Sequence, residues 1–538
     1  MKKQTFLKGS LMLGASAILA KVLGAFFKIP LTNALGGTGM GYFSSAYGLF
    51  LPLYAVLVTG LSTAVAKPVA ACCALGDQSG AERICRVARR LFLGLGLLGT
   101  LAAILCAVPF ARYTTGAAEA VPAVIAIAPA VLFSCLTAVE RGYCEGCCCM
   151  MPTAVSQAAE ALCKLICGLW FCRVLMENPS LLPFLPASTP EAAGAAGAVL
   201  GVTLSTAAGW LCMLLYCRKR VPSGKIPPAP VQKTWHIIRM LFAVMLPVAA
   251  GALITNLTSL IDLATVMRFF HHLLAADAAA FYEGTSLVAS IPPEEAATFV
   301  YGSFMGLSMT VFNLVPSLTN MFGKGVLPCT AQAWAAGDRK AAAGYAAQVL
   351  VLTGLLAIPA GCGLFALPEG VLAFLYGERP AETAAACEGL RWLAPGMLCL
   401  CLAFPVFSLM QAMGRADLPV KIMGIGAAVK LMGNLVLLPL LYTGGAALST
   451  SLCYGVILVL SLYHLRRLLG VRLSLVKPFA VMAYAGVMCA GTAWLCYGRL
   501  LLRLPQRIAL LLAIACGGVM YGAIVLGLMG KEVRGLGK

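Results

Sequence analysis

Hydrophobic residues along this chain neither alternate nor keep to one helical face. They gather in blocks of about 20 with few charges, divided by short polar punctuation. A helix rises roughly 1.5 Å per residue, so such a block crosses the hydrocarbon core of a bilayer. The pattern predicts an all-α polytopic membrane protein with about 14 transmembrane helices. The expected spans are Leu7–Leu35, Tyr42–Ala66, Leu91–Phe110, Ala120–Val139, Thr153–Leu175, Ala193–Cys217, Met240–Ile261, Val300–Phe322, Ala342–Leu367, Gly389–Met413, Leu418–Leu441, Ala446–Leu465, Pro478–Tyr497 and Ile508–Met529. The opening, MKKQTFLKGSLMLGASAILA, imitates a secretory leader, but its apolar run continues through Lys21 to Leu35 and is read as a retained first helix.

Composition narrows the class. Of 538 residues, 61% are hydrophobic and 11% charged, with a mean hydropathy of +0.91. Soluble domains carry about 25% charge, so an ordinary soluble enzyme is excluded. Lys and Arg number 39 against 20 Asp and Glu. Such a balance also suits nucleic acid, but positive charge collects in the cytoplasmic loops of membrane proteins. With the N-terminus inside, the inner segments hold 25 Lys and Arg and the outer ones 8. Both termini are therefore expected on the cytoplasmic side of the membrane. The longest outer segment, Asp262 to Phe299, is read as a re-entrant or surface helix. The 23 cysteines sit mostly in apolar blocks, as small hydrophobes do. The run Cys144, Cys147, Cys148, Cys149 contains a C-x-x-C with no histidine near it and no second pair, which reads as a thiol-rich loop before a metal site.

The two halves echo each other. Pro68 and the run Ala74-Leu75-Gly76-Asp77 return as Pro328 and Ala335-Ala336-Gly337-Asp338. Pro52 matches Pro316, and Gly146, Pro152 and Lys164 match Gly414, Pro419 and Lys430, every offset lying between 260 and 270 residues. Six spans per repeat is an even number, so both repeats enter the membrane from the same side. The expected architecture is two parallel six-helix lobes around a central cavity, residues 1–217 and 240–465, joined by the basic linker Arg218–Arg239, with two extra helices in 466–538. That is the plan of an alternating-access transporter.

Charges inside a bilayer are costly and mark function. In the first span, Ser10, Gly14, Ala17, Lys21, Gly24 and Lys28 make one small-and-cationic stripe at helical spacing. Lys28 could alternatively snorkel to the outer interface, and Lys67 reads equally as a cytoplasmic anchor. The fifth span carries Thr153, Gln157, Glu160 and Lys164 on one stripe, with Glu160 and Lys164 four apart and able to neutralise each other. The eleventh has Lys430 and Asn434; the seventh has Asn256, Ser259 and Asp262, the last also readable as solvated loop. Lysines outnumber the one firmly intramembrane acid, Glu160. A cavity so lined favours an amphipathic anion, and a lipid-linked phosphate fits, held by ammonium groups as point charges. Gly37-Thr38-Gly39-Met40-Gly41 joins two membrane helices and follows no strand, so it is a turn; no nucleotide or hydrolase motif appears elsewhere. No cofactor and no resident metal are expected.

The stretch FLKGSLMLGASAILAKVLGAFFKIPLTNALGGTGMGYFSSAY resembles the opening of the stage V sporulation protein B group of polysaccharide transporters, relatives of the lipid II flippase within the multidrug/oligosaccharidyl-lipid/polysaccharide exporter superfamily. ERGYCEGCCCMMPTAVSQAAEALCKLICG, KGVLPCTAQAWAAGDRKA and LMQAMGRADLPVKIMGIGAAVKLMGN extend the resemblance across both halves. It implies fourteen helices in two lobes and flipping of an undecaprenyl-linked sugar precursor. It places Lys21 and Lys28 where the flippase carries first-helix cavity arginines. The flippase's eighth-helix arginine finds the uncharged Met309 as its best match.

Three functions remain in play. The leading one is a lipid-linked oligosaccharide or peptidoglycan-precursor flippase, whose partners are the anionic glycan lipid, bilayer lipids and a proton or sodium ion as coupling cation. The second is a multidrug/cation antiporter, disfavoured by the scarcity of intramembrane acid. The third, a membrane-embedded glycan polymerase, needs a large catalytic outer loop, and the single histidine pair His271-His272 stands alone.

Overall fold

The computed structural model describes residues 6–181, 189–218, 234–285, 291–471 and 475–535. Within them the chain forms helices and no strand. In order they are α1 (Phe6–Leu57), α2 (Leu61–Ala74), α3 (Gln78–Pro109), α4 (Val121–Gly146), α5 (Met151–Glu177), α6 (Pro190–Arg218), α7 (Thr234–Ala276), α8 (Ala278–Gly284), α9 (Pro293–Ser303), α10 (Met309–Ala335), α11 (Arg339–Ala366), α12 (Pro368–Tyr376), α13 (Pro380–Ala412), α14 (Asp417–Leu469), α15 (Val476–Leu500) and α16 (Gln506–Gly535).

Eleven stretches of the described residues are long and apolar enough to cross a membrane. Two of them, Leu19–Cys73 and Asp417–Leu469, run to 55 and 53 residues, far beyond the roughly 20 that one crossing takes. Both are broken inside. In α1 the break is Gly36, whose φ of 66° and ψ of −169° only glycine adopts readily. In α14 it is Tyr442, with φ 50° and ψ −124°, its ring packed on Gly284 and 6.4 Å from that of Phe269. A tyrosine in that region is strained by on the order of 1–3 kcal/mol, so its neighbours must hold it there.

The structure moves several expected boundaries. The second span ends not at Ala66 but in two pieces, because Gly60 adopts φ 84° and separates α1 from α2, which runs on to Ala74. The fourth continues past Val139 to Gly146, carrying Glu140 and Arg141 within the helix. The seventh does not stop at Ile261. Leu263, Val266, Met267 and Phe270 keep one face of α7 buried at helical spacing, so the helix continues to Ala276 and Asp262 lies inside it, buried and not in a solvated loop. The segment after it is therefore shorter than expected and contains the small helix α8. Of the linker Arg218–Arg239, residues 219–233 lie outside the described residues, as does the stretch 1–5 at the start.

The chain divides into two compact units, Met1–Ala264 and Thr265–Lys538, the division falling within α7. In the first unit small residues let helices meet backbone to backbone. A Cβ at Gly142 would strike the Ser62 carbonyl on α2, one at Gly146 the Ala66 carbonyl, and one at Gly201 of α6 the backbone of Gly168 on α5. In the second unit the α13–α14 contact uses Gly396, whose amide donates to the Ser451 hydroxyl at 3.0 Å.

Each unit contains the same pair of turns. Between α2 and α3, Gly76 has φ 74° and the Asp77 carboxylate accepts from the Gly80 amide at 2.8 Å. Between α10 and α11, Gly337 has φ 76° and Asp338 accepts from the Ala341 amide at 2.9 Å. The backbone bonds that close the turns correspond too, Asp77 to Cys72 at 2.9 Å and Asp338 to Ala333 at 3.0 Å. The α4–α5 and α13–α14 turns match likewise: Cys149 bonds Cys144 at 2.9 Å and Arg415 bonds Met410 at 2.9 Å. The repeat seen in the sequence is thus a repeat of helix-terminal hydrogen bonding.

Candidate polar site of the first unit

Three helices of the first unit bring polar side chains together in otherwise apolar surroundings. On α4, Arg141 donates through Nη2 to Glu160 Oε2 at 2.8 Å and to Ser156 Oγ at 2.9 Å, both on α5. The Ser156 hydroxyl donates in turn to the Gly209 carbonyl of α6 at 3.1 Å. One turn further along α5, Lys164 Nζ donates to Tyr47 Oη on α1 at 3.2 Å. The same ammonium lies 5.1 Å from the Phe27 ring centroid and 5.6 Å from that of Tyr47, so two aromatic faces share its charge. Ser16 of α1 donates to Gln157 Oε1 at 2.9 Å.

Between α1 and α5 these groups border a cavity of about 320 Å³, lined by Ala20, Gly24, Gln157, Glu160, Ala161 and Lys164. It exists because α1 presents small residues there. A Cβ built on Gly24 meets nothing within 4 Å. Lys28, half-buried on the same helix one turn on, lies within electrostatic reach of Lys164. The Glu160 charge is already met by Arg141, so the cavity's neighbourhood keeps a cationic surplus from Lys28 and Lys164.

The expected pairing of Glu160 with Lys164 is therefore replaced. Glu160 turns to Arg141 and Lys164 to Tyr47, because the guanidinium on the facing helix reaches the carboxylate directly through Nη2. The reading of Glu160 as the lone firmly intramembrane acid also gives way. Glu140 on α4 is 1% exposed and accepts from Arg89 Nε at 2.7 Å, and Asp262 is equally buried. The other expected residues lie on α1, α2, α7 and α14. Lys21 is exposed on α1 and Lys67 exposed on α2. Asn256 of α7 donates to the Leu51 carbonyl at 3.3 Å. In the second unit, Lys430 and Asn434 are buried on α14, where Asn434 Nδ2 donates to Thr265 Oγ1 at 2.7 Å and the Ser449 hydroxyl to the Lys430 carbonyl at 2.9 Å. Ser10, Gly14 and Ala17 of the first-helix stripe lie in α1, and their side chains fall outside the described residues.

Arg141 and Tyr47 are the participants that sequence reasoning missed. Arg141 was expected in a cytoplasmic loop. Its signal was available in the small residues Ala138, Gly142 and Gly146, spaced four apart across it, which continue a helix contact through the charge. Tyr47 had no such signal, since an aromatic residue in an apolar block reads as core. The second unit has a larger cavity, about 760 Å³, between α11, α13 and α15; Phe365, Leu398, Val487 and Trp494 make it apolar, with Arg391 the charge at its wall. Among the described residues no three His, Cys, Asp or Glu side chains gather as a metal-binding set.

A helical chain of this hydropathy, with a repeated turn framework and paired charges between its helices, defines the class: an all-α, multi-pass membrane protein. Comparison of folds agrees. The lipid II flippase MurJ in an inward closed conformation superposes with a TM-score of 0.72 at 12% identity, over 97% of this chain and 100% of the other. An inward-facing multidrug transporter of the MATE family gives 0.60 at 14% identity, over 84% and 98%. Residues 6–304 match the polysaccharide biosynthesis protein family and residues 303–436 match the MatE family. The chain belongs to the polysaccharide biosynthesis protein family. It is 26% identical to the stage V sporulation protein B of Bacillus subtilis (strain 168), covering 91% of this chain and 89% of that protein. It is 22% identical to the lipid II flippase MurJ of the same organism, covering 96% and 94%.

Proposed function

We propose that this protein flips an anionic, lipid-linked glycan of the undecaprenyl phosphate type across a bacterial cytoplasmic membrane by alternating access, a peptidoglycan precursor or a related oligosaccharide. The observation that carries the reading is the cationic surplus at the α1–α5 cavity, where Arg141 takes up the Glu160 charge and leaves Lys28 and Lys164 beside a recess with room for a polar group. Lys21 supports it. It is exposed on α1, the helix that borders the cavity, and adds its charge to those of Lys28 and Lys164. A phosphate passing these ammonium groups meets point charges, while its polyprenyl chain stays in hydrocarbon. The named relatives, a lipid II flippase and a sporulation protein, favour a transporter over a polymerase.

The reading includes a topology. The chain crosses fourteen times, the breaks at Gly36 and Tyr442 dividing the two longest stretches and α5 counting as a crossing. Both termini and the basic linker lie in the cytoplasm, and the two six-helix repeats run parallel. Lys430 and Asn434 contribute from the second unit, and a proton or sodium ion serves as the coupling cation.

The test is transport of a fluorescent undecaprenyl-linked sugar into proteoliposomes. A Lys21→Ala, Lys28→Ala double variant is expected to lose at least tenfold in rate while remaining monodisperse, since a ligand contact is removed and not core packing. Lys21→Arg is expected to keep part of the rate. Full activity in a well-expressed double variant would overturn the anionic-substrate reading and put the cation antiporter first, which the buried Glu140 and Asp262 would then serve.

A further inference from the structure

The α2–α4 contact ends in a pair of thiols that transport leaves unused. Gly142 and Gly146 let the two helices touch along their backbones. One residue past Gly146, Cys147 Sγ stands 3.6 Å from Cys73 Sγ, although the two are 74 positions apart in sequence. That separation is sulfur-to-sulfur contact with no atom between them. The loop holding Cys147 is fixed, because Cys147, Cys148 and Cys149 bond back to Tyr143, Glu145 and Cys144 at 3.0, 2.9 and 2.9 Å. Both thiols are half-buried, so a small solute reaches them, while Cys148 beside them is exposed. The turn does not require sulfur. Its counterpart in the second unit has the same backbone bonds with Met413 in place of Cys147 and Gly414 in place of Cys148, and the α10 residue matching Cys73 is Trp334.

We propose that Cys73 and Cys147 form a reversible oxidation site, a dithiol that a peroxide closes to a disulfide across the α2–α4 contact. The Cys73 sulfur attacks peroxide first, its S–O bond forming as the O–O bond breaks, and yields a sulfenic acid and one water. Cys147 is the resolving thiol: it stands in contact with the Cys73 sulfur, and burial pushes it up to about 12, which keeps it protonated and slow toward a dilute oxidant. Its sulfur bonds to that of Cys73, the S–O bond breaks, and the departing hydroxide takes the Cys147 proton as a second water. Two thiols have lost two electrons and two protons to one peroxide. A thiol reductant reverses the closure. The assignment does not depend on what the protein transports.

The experiment uses the full chain in lipid nanodiscs, treated with hydrogen peroxide, alkylated, digested without reduction and mapped by mass spectrometry. The expected result is a Cys73–Cys147 linked peptide as the main disulfide species, abolished by dithiothreitol and missing from Cys73→Ser protein, whose Cys147 becomes alkylated instead. The wild-type map decides the matter even if that variant fails to fold. Recovery of Cys73 and Cys147 in separately alkylated peptides, or of Cys147 joined mainly to Cys148 or Cys149, overturns the proposal.

Discussion

The two units share a framework and differ in what they bury inside it. The capped turns before α3 and α11 agree bond for bond, as do the turns before α5 and α14. Yet where the first unit has Glu140 and Arg141 on α4, the second has Val406 and Phe407 on α13. Where α5 carries Ser156, Gln157 and Glu160, α14 carries Ile422, Met423 and Gly426. All of these replacements in the second unit are buried. One charge persists, Lys164 returning as Lys430, now 2% exposed. The difference separates two kinds of constraint. Turn chemistry is imposed by the orphan amides and carbonyls that every helix end leaves, so any unit built this way repeats it. Interior polarity is optional for folding, since an apolar filling packs equally well, and it is present where a site is needed.

That contrast predicts a graded series of effects. The largest should follow from forcing the first unit's charge on the second. Phe407→Arg places a guanidinium at a buried position of α13, with Gly426 and no carboxylate at the position matching Glu160, and should cost about 3–5 kcal/mol, read as loss of folded protein in detergent. Next comes the reverse exchange. Arg141→Met strands Glu160 and Ser156 and, at a partly exposed site, should cost about 2 kcal/mol in thermal unfolding. Adding Glu160→Gln should recover more than half of it, which an independent pair of sites would not show.

Smaller effects test the shared framework. Asp77→Ala and Asp338→Ala should each lower stability by about 1 kcal/mol, equally in the two units, measured as earlier hydrogen exchange in the first turns of α3 and α11. The Gly80 amide and the Ser79 hydroxyl hold the Asp77 carboxyl below its ordinary value. Its folded value being depressed, the cap contributes fully above about pH 4 and is lost as pH falls through the lowered value. Protection that stayed constant down to strong acid would contradict this. The smallest effect concerns the left-handed position of the α4–α5 and α13–α14 turns, Cys148 with φ 57° in one and Gly414 with φ 78° in the other. A Cβ on Gly414 meets nothing, so Gly414→Ala should lose only the backbone preference, about 1 kcal/mol, and Cys148→Gly should gain slightly less. Opposite signs in parallel unfolding curves would support the equivalence of the two turns, and equal signs would break it.

Much of the fold was legible because the bilayer leaves few options: apolar blocks must become helices that satisfy their own backbones. The repeat was legible because Gly-Asp turns use residues with little freedom to vary. Boundaries were less so wherever a charge stayed inside a helix. The pair Glu140-Arg141 looks like a helix end when residues are weighed singly, and is interior only because partners on other helices take up the charge. Glu160 and Lys164 stood out in the sequence as charges within an apolar block, but their partners Arg141 and Tyr47 did not, since which side chains meet across α1, α4 and α5 depends on rotations that helical periodicity leaves open.

The bond between Arg141 and Glu160 also bears on how the chain enters the membrane. α5 is 27 residues long, yet it is missing from the eleven stretches apolar enough to cross on their own merits. A translocon that weighs each segment for lipid solubility would hesitate over Glu160, Lys164 and Arg173 together. α4, which precedes it, carries the guanidinium that turns one of those charges into half of a neutral pair, and α6, which follows it, packs glycine against glycine along it. If α5 crosses as proposed, its passage into lipid is expected to be collective, with α4 waiting at the lateral gate, so that insertion of α5 in a glycosylation-reporter fusion should fall when α4 is deleted.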